Sequence, residues 1–191
     1  MNTYGFTEKG RIAMLETAMR RNHISPQLFP LDWLKSTDFF YAPASTKYHS
    51  CYPGGLFDHS MDVAQELIRL TRNHTTAVWG RPESPFIIGI LHDVTKCGKY
   101  IPCQETNTAT GDPVLVYIYN KDYQGDGHGQ DSLNKLRPHI ELTEEERLCI
   151  RYHMGAYETE DWNNYDQAIK LYPNVLWTHT ADMVASKLME R

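Results

Sequence analysis

The adjacent pair His92-Asp93 is the first place to look for chemistry, because it follows a run of strongly apolar residues. Neighbouring residues of a helix point about 100° apart, so both side chains could flank one metal ion, or the carboxylate could bridge two ions. An aspartate buried there costs free energy unless a cation or a hydrogen-bond donor compensates its charge. The alternative interpretation is a capping pair near a helix end whose polar groups are satisfied within the protein.

Four further residues are candidate metal ligands by their type and position, namely His59, His128, His153 and Asp182. The chain has nine histidines in 191 residues, and histidine is the commonest metal ligand in proteins. Taken singly, each has an ordinary explanation. His128 could be a solvated loop residue, and His153 could be a helix-terminal residue that the helix dipole favours.

Hydrophobic periodicity predicts the helices that must position these residues. We expect helices over residues 7–19, 56–72, 85–96, 130–136, 143–153 and 175–188, and a short one that begins at Ser25-Pro26. Residues 85–96 are apolar nearly all the way round, which indicates a central, buried helix. Residues 114–119 are β-branched and aromatic and predict half of a hairpin. The expected fold is all-α, with six to eight helices and a small β-hairpin near residues 112–123.

Length and composition limit the class of protein. At 191 residues, with 41% hydrophobic and 23% charged residues, the chain is expected to form one domain over residues 1–191. A net charge of −5 argues against general attraction to nucleic acid, although a local basic patch would still permit it. No secretory signal and no membrane-spanning run is apparent, and the four cysteines lack zinc-site spacing. We therefore expect a cytoplasmic protein with free thiols and no membrane partner.

Three separated motifs occur in an order that resembles the HD-domain phosphohydrolase superfamily, over residues 41–188. They are Gly54-Gly55-Leu56-Phe57-Asp58-His59-Ser60, Leu91-His92-Asp93-Val94-Thr95-Lys96 and His179-Thr180-Ala181-Asp182. More narrowly, residues 48–59, Gly127-His128-Gly129 and His153-Met154-Gly155 are similar to the HD domain of bacterial 3′–5′ exoribonucleases. The chain departs from those enzymes because it has no room for their nucleic-acid-binding OB domain. Thr95 also stands where the family often has glycine.

The resemblance implies an HD-domain helical bundle that binds one or two divalent ions, of manganese, iron, cobalt, nickel, zinc or magnesium. It implies that His59, His92, Asp93 and Asp182 bind one ion and that Asp93 bridges to a second ion at His128 and His153. Mixed imidazole and carboxylate ligands suit transition metals of this kind. Two ions about 3.5–4 Å apart can share a water and convert it to a hydroxide that attacks phosphorus in line.

Asp93 and Lys96 are the expected catalytic residues. Lys96 follows Asp93 by three residues, and we assign it to phosphate binding and transition-state stabilisation, although a solvated lysine at a helix end is the ordinary alternative. His179 lies three residues before Asp182 and could orient a ligand, or it could simply be packed and hydrogen-bonded. His49 precedes the Gly-Gly turn and could contact substrate, or it could lie on the surface.

The expected function is hydrolysis of a phosphomonoester or phosphodiester bond in a small-molecule phosphate ester or nucleotide, such as a nucleoside monophosphate, a dNTP or a cyclic nucleotide. The alternative is a single-strand 3′–5′ exonuclease, which the narrower resemblance favours and which the missing OB domain and the negative charge disfavour. A third hypothesis is a non-catalytic, metal-binding regulatory module. A basic groove that leads to His92-Asp93 would favour the nuclease.

Overall fold

A computed structural model describes residue 3 and residues 5–47, 50–125, 127–155 and 162–189. These residues form eight α-helices and one two-stranded antiparallel sheet. The helices are α1 (Glu8–Arg21), α2 (Leu31–Lys35), α3 (Gly55–Asn73), α4 (Ser84–Leu91), α5 (His128–Leu136), α6 (Glu144–Arg151), α7 (Trp162–Leu171) and α8 (Asn174–Val184). The expected all-α class with a small hairpin is confirmed. Within the described residues, none of the helices combines the length and the apolarity that a membrane crossing requires.

The hairpin consists of β1 (Tyr100–Thr106) and β2 (Pro113–Tyr119), paired from Tyr100 opposite Tyr119 to Thr106 opposite Pro113. The range expected from the sequence, 112–123, contains β2 but not β1. β1 was missed because Pro102 and the polar residues 104–106 weaken its strand pattern. Proline is tolerated here because both strands of a two-stranded sheet are edge strands.

Helices α3 and α4 form the centre of the hydrophobic core. All eight residues of α4 are buried, and so is most of α3. The two helices approach very closely at Gly89, where an added Cβ would lie 2.3 Å from Cα of Ala64. Such close packing needs a residue without a side chain, so Gly89 sets the separation of the two helices. His59 precedes Ala64 by five residues and His92 follows Gly89 by three, and their Nε2 atoms lie 3.2 Å apart.

Local capping explains where several helices begin. The Thr7 side chain accepts a hydrogen bond from the N–H of Gly10 at the start of α1, as the sequence predicts. At α6, Thr143 and Glu146 form a capping box, which the sequence pattern Thr143-x-x-Glu146 predicts. α7 was not predicted from its sequence WNNYDQAIKL, although Tyr165, Ala168 and Ile169 recur at helical spacing; Tyr165 and Ala168 are its buried residues.

Four of the candidate ligands, His92, Asp93, His128 and His153, lie at helix ends, which corrects the expected boundaries. The α-helix predicted over 85–96 ends at Leu91, and a separate 3-10 helix (Val94–Lys96) follows. Asp93 lies between them with φ −116° and ψ 20°, outside the α-helical region. α6 ends at Arg151, before His153, whereas His128 is the first residue of α5 and not part of a loop. The sequence pattern could not fix these ends, because the polar groups freed there bond to side chains.

Candidate metal centre

The structure brings all six predicted metal ligands together around Asp93. Five different parts of the fold supply them: α3, the turn after α4, the start of α5, the turn after α6, and α8. Five of the six are buried, with relative exposures between 0% and 8%. His128 is the exception, since its side chain is 25% exposed. The six ligands are His59, His92, Asp93, His128, His153 and Asp182.

His59, His92 and Asp182 form the first group that could hold a metal ion. The Nε2 atom of His59 lies 3.2 Å from Nε2 of His92 and 3.2 Å from Oδ1 of Asp182. Ligand atoms bonded to one divalent ion at about 2.0–2.2 Å are themselves about 3.0–3.5 Å apart. The observed separations therefore fit a shared ion.

His92, Asp93 and His153 form the second group, which shares His92 with the first. The Oδ1 atom of Asp93 lies 3.7 Å from Nε2 of His153, and both atoms are buried without a hydrogen-bond partner among the described residues. An unsatisfied buried polar atom costs about 1–3 kcal/mol, so two that face each other call for a cation between them. His128 is adjacent, with Nδ1 at 3.4 Å from the same oxygen, but it belongs to neither three-residue group.

The two carboxylate oxygens of Asp93 face different histidines. Oδ2 lies 3.6 Å from Nε2 of His59 and 3.8 Å from Nε2 of His92. Oδ1 faces His128 and His153, on the other side. The Asp93 carboxylate thus lies between His59 and His92 on one side and His128 and His153 on the other, which is the position that a bridging ligand would need.

Backbone hydrogen bonds fix the orientation of two imidazole rings. Nδ1 of His92 donates to the carbonyl of Gly89 at 2.9 Å, and Nδ1 of His153 donates to the carbonyl of Ile150 at 2.7 Å. With the proton on Nδ1, the Nε2 atom of a neutral ring presents its lone pair to the centre. Both carbonyls belong to the last turn of a helix, so the same bond also satisfies a helix terminus.

The electrostatics keep His92 in the neutral form that binds metals. Burial lowers the pKa of His92 to about 3; the Asp93 carboxylate opposes this shift, and His153 and His59 reinforce it. A neutral ring is the form in which histidine ligates a metal. His92 is therefore ready to bind a cation without first losing a proton at neutral pH.

Both aspartates are ionised. Burial raises the pKa of Asp93, but Lys96 and the neighbouring His128 and His92 lower it more, so it lies well below its usual value. The Nζ atom of Lys96 lies 2.5 Å from Oδ2 of Asp93. Burial likewise raises the pKa of Asp182, but the hydrogen bond from His59 and the interactions with His59, His92 and His153 together lower it more, so it again lies below its usual value.

A second close helix contact, at Gly129, brings His128 and His153 to the same side of Asp93. An added Cβ at Gly129 would lie 2.1 Å from the carbonyl oxygen of Arg151. The start of α5 therefore lies against the end of α6. His128 directly precedes Gly129, and His153 follows Arg151 by two residues. The sequence alone indicates a glycine-rich loop here and does not show this contact.

A cavity of about 240 Å³ opens onto the centre. Its wall includes His59, Asp93, Lys96, His128, His179 and Asp182, all of them predicted site residues. Sequence reasoning missed the rest of the wall. It consists of Ala44, Ser45, Thr46, Tyr100, Tyr119, Met154, Met183, Ser186 and Lys187. Tyr100 and Tyr119 are opposite each other in the hairpin, so only knowledge of the strand pairing could have placed both at the cavity.

The remaining predicted residues differ in their placement. Nδ1 of His179 donates to the backbone carbonyl of His153 at 2.7 Å, so His179 supports the turn that carries a candidate ligand. Lys96 lines the cavity and contacts Asp93. His49 lies outside the described residues.

No protein-family model, curated protein or solved structure matches this chain. The centre must therefore be interpreted from its own geometry. Buried histidine and aspartate side chains form two overlapping groups, with His92 in common, that could hold a metal ion.

Proposed function

We propose that the chain is a divalent-metal-dependent phosphohydrolase, with ions at the two groups around Asp93. The observation that carries this proposal is the placement of one buried, ionised carboxylate between two sets of imidazole nitrogens. Pairs of divalent ions about 3.5–4 Å apart are typical of phosphoester-cleaving enzymes. Bound ions would supply Lewis-acid chemistry, which activates water near neutral pH and neutralises charge on phosphoryl oxygens.

The protein's own residues provide the binding and the orientation. Lys96 is 5% exposed and lines the cavity, so its attraction for a phosphate is screened less than that of a surface lysine. Its contact with Asp93 holds the ammonium group at the edge of the metal centre, where a phosphoryl oxygen would bind. Asp93 and Lys96 are therefore the residues that we assign to the reaction.

The size and the charge of the cavity favour a small substrate. Pockets for small molecules commonly measure about 300–1,000 Å³, so a 240 Å³ cavity suits the phosphate end of a nucleotide or similar ester. Lys96 and Lys187 are the lysines among its described lining residues, and arginine is absent from that lining. A strand of nucleic acid would need positive charge along a longer track, so the exonuclease remains the second candidate.

Metal analysis and a hydrolysis screen test the proposal together. The chain is purified without chelator, its metal content is measured, and nucleotides, other phosphate esters and short oligonucleotides are screened with added Mn²⁺. We expect two ions per chain and turnover of a mononucleotide or small phosphate ester. Asp93→Ala should lose both metal binding and turnover, whereas Asp166→Asn, on the exposed side of α7, should retain both.

The outcomes separate the three functional hypotheses. Turnover of oligonucleotides in preference to mononucleotides would favour the exonuclease. Two bound ions with no turnover of any phosphate ester would favour a regulatory module. The proposal would be refuted if the protein binds no ion even after reconstitution, or if the Asp93→Ala variant has unchanged turnover.

A further inference from the structure

Thr95 lies between the two proposed catalytic residues, and each of its polar groups is hydrogen-bonded. Its N–H donates to Oγ of Ser132 at 3.1 Å, and its carbonyl accepts from the hydroxyl of Tyr123 at 2.7 Å. The Thr95 hydroxyl lies 2.9 Å from that of Tyr123. Because the single hydroxyl proton of Tyr123 is used on the carbonyl, the Thr95 hydroxyl is the donor in this contact. Thr95 is completely buried, so water does not compete for these bonds.

Lys135 holds the same segment from α5. Its Nζ atom donates to the carbonyl of Cys97 at 2.6 Å and lies 3.4 Å from the carbonyl of Thr95. These carbonyls flank Lys96 and lie at the end of the 3-10 helix Val94–Lys96, where a cation is favoured. The ammonium group also lies 4.9 Å from the centroid of the Tyr123 ring.

One face of α5 makes the contacts of Ser132 and Lys135, whereas Tyr123 precedes the helix. His128, Ser132 and Lys135 are spaced four and three residues apart, so they lie along the same side of the helix. Ser132 and Lys135 bind the segment around Thr95, while Nδ1 of His128 lies 3.4 Å from Oδ1 of Asp93. The helix that carries a candidate ligand is thus tied directly to the segment that carries Asp93 and Lys96.

We propose that Tyr123, Ser132 and Lys135 are positioning residues, which together we call the Thr95 clamp, and that this clamp fixes His128 relative to Asp93. The inference rests on the proposed function, since it assumes a second ion at the His128 side of Asp93. Glycine, which is frequent at the position of Thr95 in the family that the sequence resembles, could not donate to Tyr123. The Thr95 side chain therefore gives this chain a hydrogen bond to the Tyr123 hydroxyl that a glycine would lack.

The test is a calorimetric titration of the full chain with Mn²⁺. Wild type should bind two ions. Tyr123→Phe and Thr95→Val remove the hydroxyl contact with little change in shape, and Lys135→Met removes the ammonium group but keeps most of the stem. Each should weaken one of the two Mn²⁺ affinities by about 10- to 100-fold, as loss of an outer-shell partner does, and leave the other affinity unchanged.

Two matched variants serve as controls. Thr95→Ser retains the hydroxyl and should bind as wild type does. Tyr165→Phe also deletes a tyrosine hydroxyl, but one with no hydrogen-bond partner among the described residues, so both affinities should remain. As a spectroscopic readout, the paramagnetic resonance signal of a coupled Mn²⁺ pair should disappear in Tyr123→Phe at Mn²⁺ concentrations that fill wild type.

The results distinguish the clamp from the function. Wild-type affinities in both Tyr123→Phe and Lys135→Met, or equal weakening of both ions, would overturn the clamp and leave the phosphohydrolase proposal standing. A wild-type protein with a single ion would also overturn the clamp. Absence of any bound ion would overturn both proposals. If Tyr123→Phe fails to fold, the titration of Lys135→Met decides the question.

Discussion

The low pKa of His92 makes the stability of the metal-free protein depend on pH in a predictable direction. In the folded protein the pKa of His92 is about 3, against an ordinary value of 6.5. As the pH falls below 6.5, the unfolded chain binds a proton at this residue and the folded chain does not, so acidification favours unfolding. Above about pH 6.5 the protonation of His92 does not reduce the free energy of unfolding. Below that pH the free energy of unfolding falls progressively as the pH approaches 3.

Each pH unit in this window corresponds to about 1.4 kcal/mol, so the loss at pH 4.5 is about 3 kcal/mol. That is a large share of the free energy of unfolding of a typical domain, which is about 5–15 kcal/mol. The depressed pKa values of Asp93 and Asp182 act in the same direction, but they matter only at pH values near or below the ordinary aspartate value of 3.8. The window between pH 6.5 and 4.5 therefore reports chiefly on His92.

Denaturant unfolding with chelator present, at pH 7, 5.5 and 4.5, measures the effect. His92→Gln removes the titrating ring, so its free energy of unfolding should fall less steeply with acidification than that of wild type. His139→Gln is the matched control, because His139 is exposed and stacks on Trp33 away from the centre. Parallel curves for wild type and His92→Gln over this window would refute the reasoning.

Three further predictions follow from single contacts. Gly129→Ala places a Cβ 2.1 Å from the Arg151 carbonyl oxygen, so it should destabilise the protein by about 1–3 kcal/mol in denaturant unfolding and weaken Mn²⁺ binding in calorimetry. Arg81→Met leaves the buried Glu146 carboxylate without its arginine partner and should lower the free energy of unfolding by about 3 kcal/mol. A variant as stable as wild type at neutral pH would contradict this prediction. Asp182→Asn removes a charged ligand from the first group, so one Mn²⁺ should be lost from metal analysis while the fold remains; retention of two ions would exclude Asp182 as a ligand.

The parts of the fold that follow from local sequence were predictable. The apolar stripes of α3 and α4 and the side-chain caps at Thr7 and Thr143 depend on neighbouring residues alone. β1 was not predicted because Pro102 and the polar residues 104–106 weaken its strand pattern, and α7 was missed although Tyr165, Ala168 and Ile169 recur at helical spacing. The hydrophobic pattern also carried the expected helices on through His92-Asp93 and to His153, where side-chain bonds to carbonyls end them.

The candidate centre, like the fold, was predictable only in part. Residue types and motif order indicated the six ligands, but not which nitrogen of each ring faces inward or which carboxylate oxygen faces which histidine. The contacts of Gly89 and Gly129 also remained hidden, because each joins a glycine to a backbone atom far along the chain. Tyr100 and Tyr119 reach the cavity through strand pairing, which residue type alone does not reveal.

The centre is assembled by interactions internal to the protein. The rings of His92 and His153 are oriented by the carbonyls of Gly89 and Ile150, and these bonds also complete two helix ends. Such bonds form as the helices pack, so the nitrogen atoms converge whether or not a cation is present. The ligand side chains are then ordered by folding itself, so their ordering does not weaken the affinity for the ion. In small domains that fold only when metal binds, by contrast, the ordering occurs on binding. We therefore expect the chain to remain folded in chelator at neutral pH, with circular dichroism as the check, and unfolding on metal removal would contradict this account of the centre.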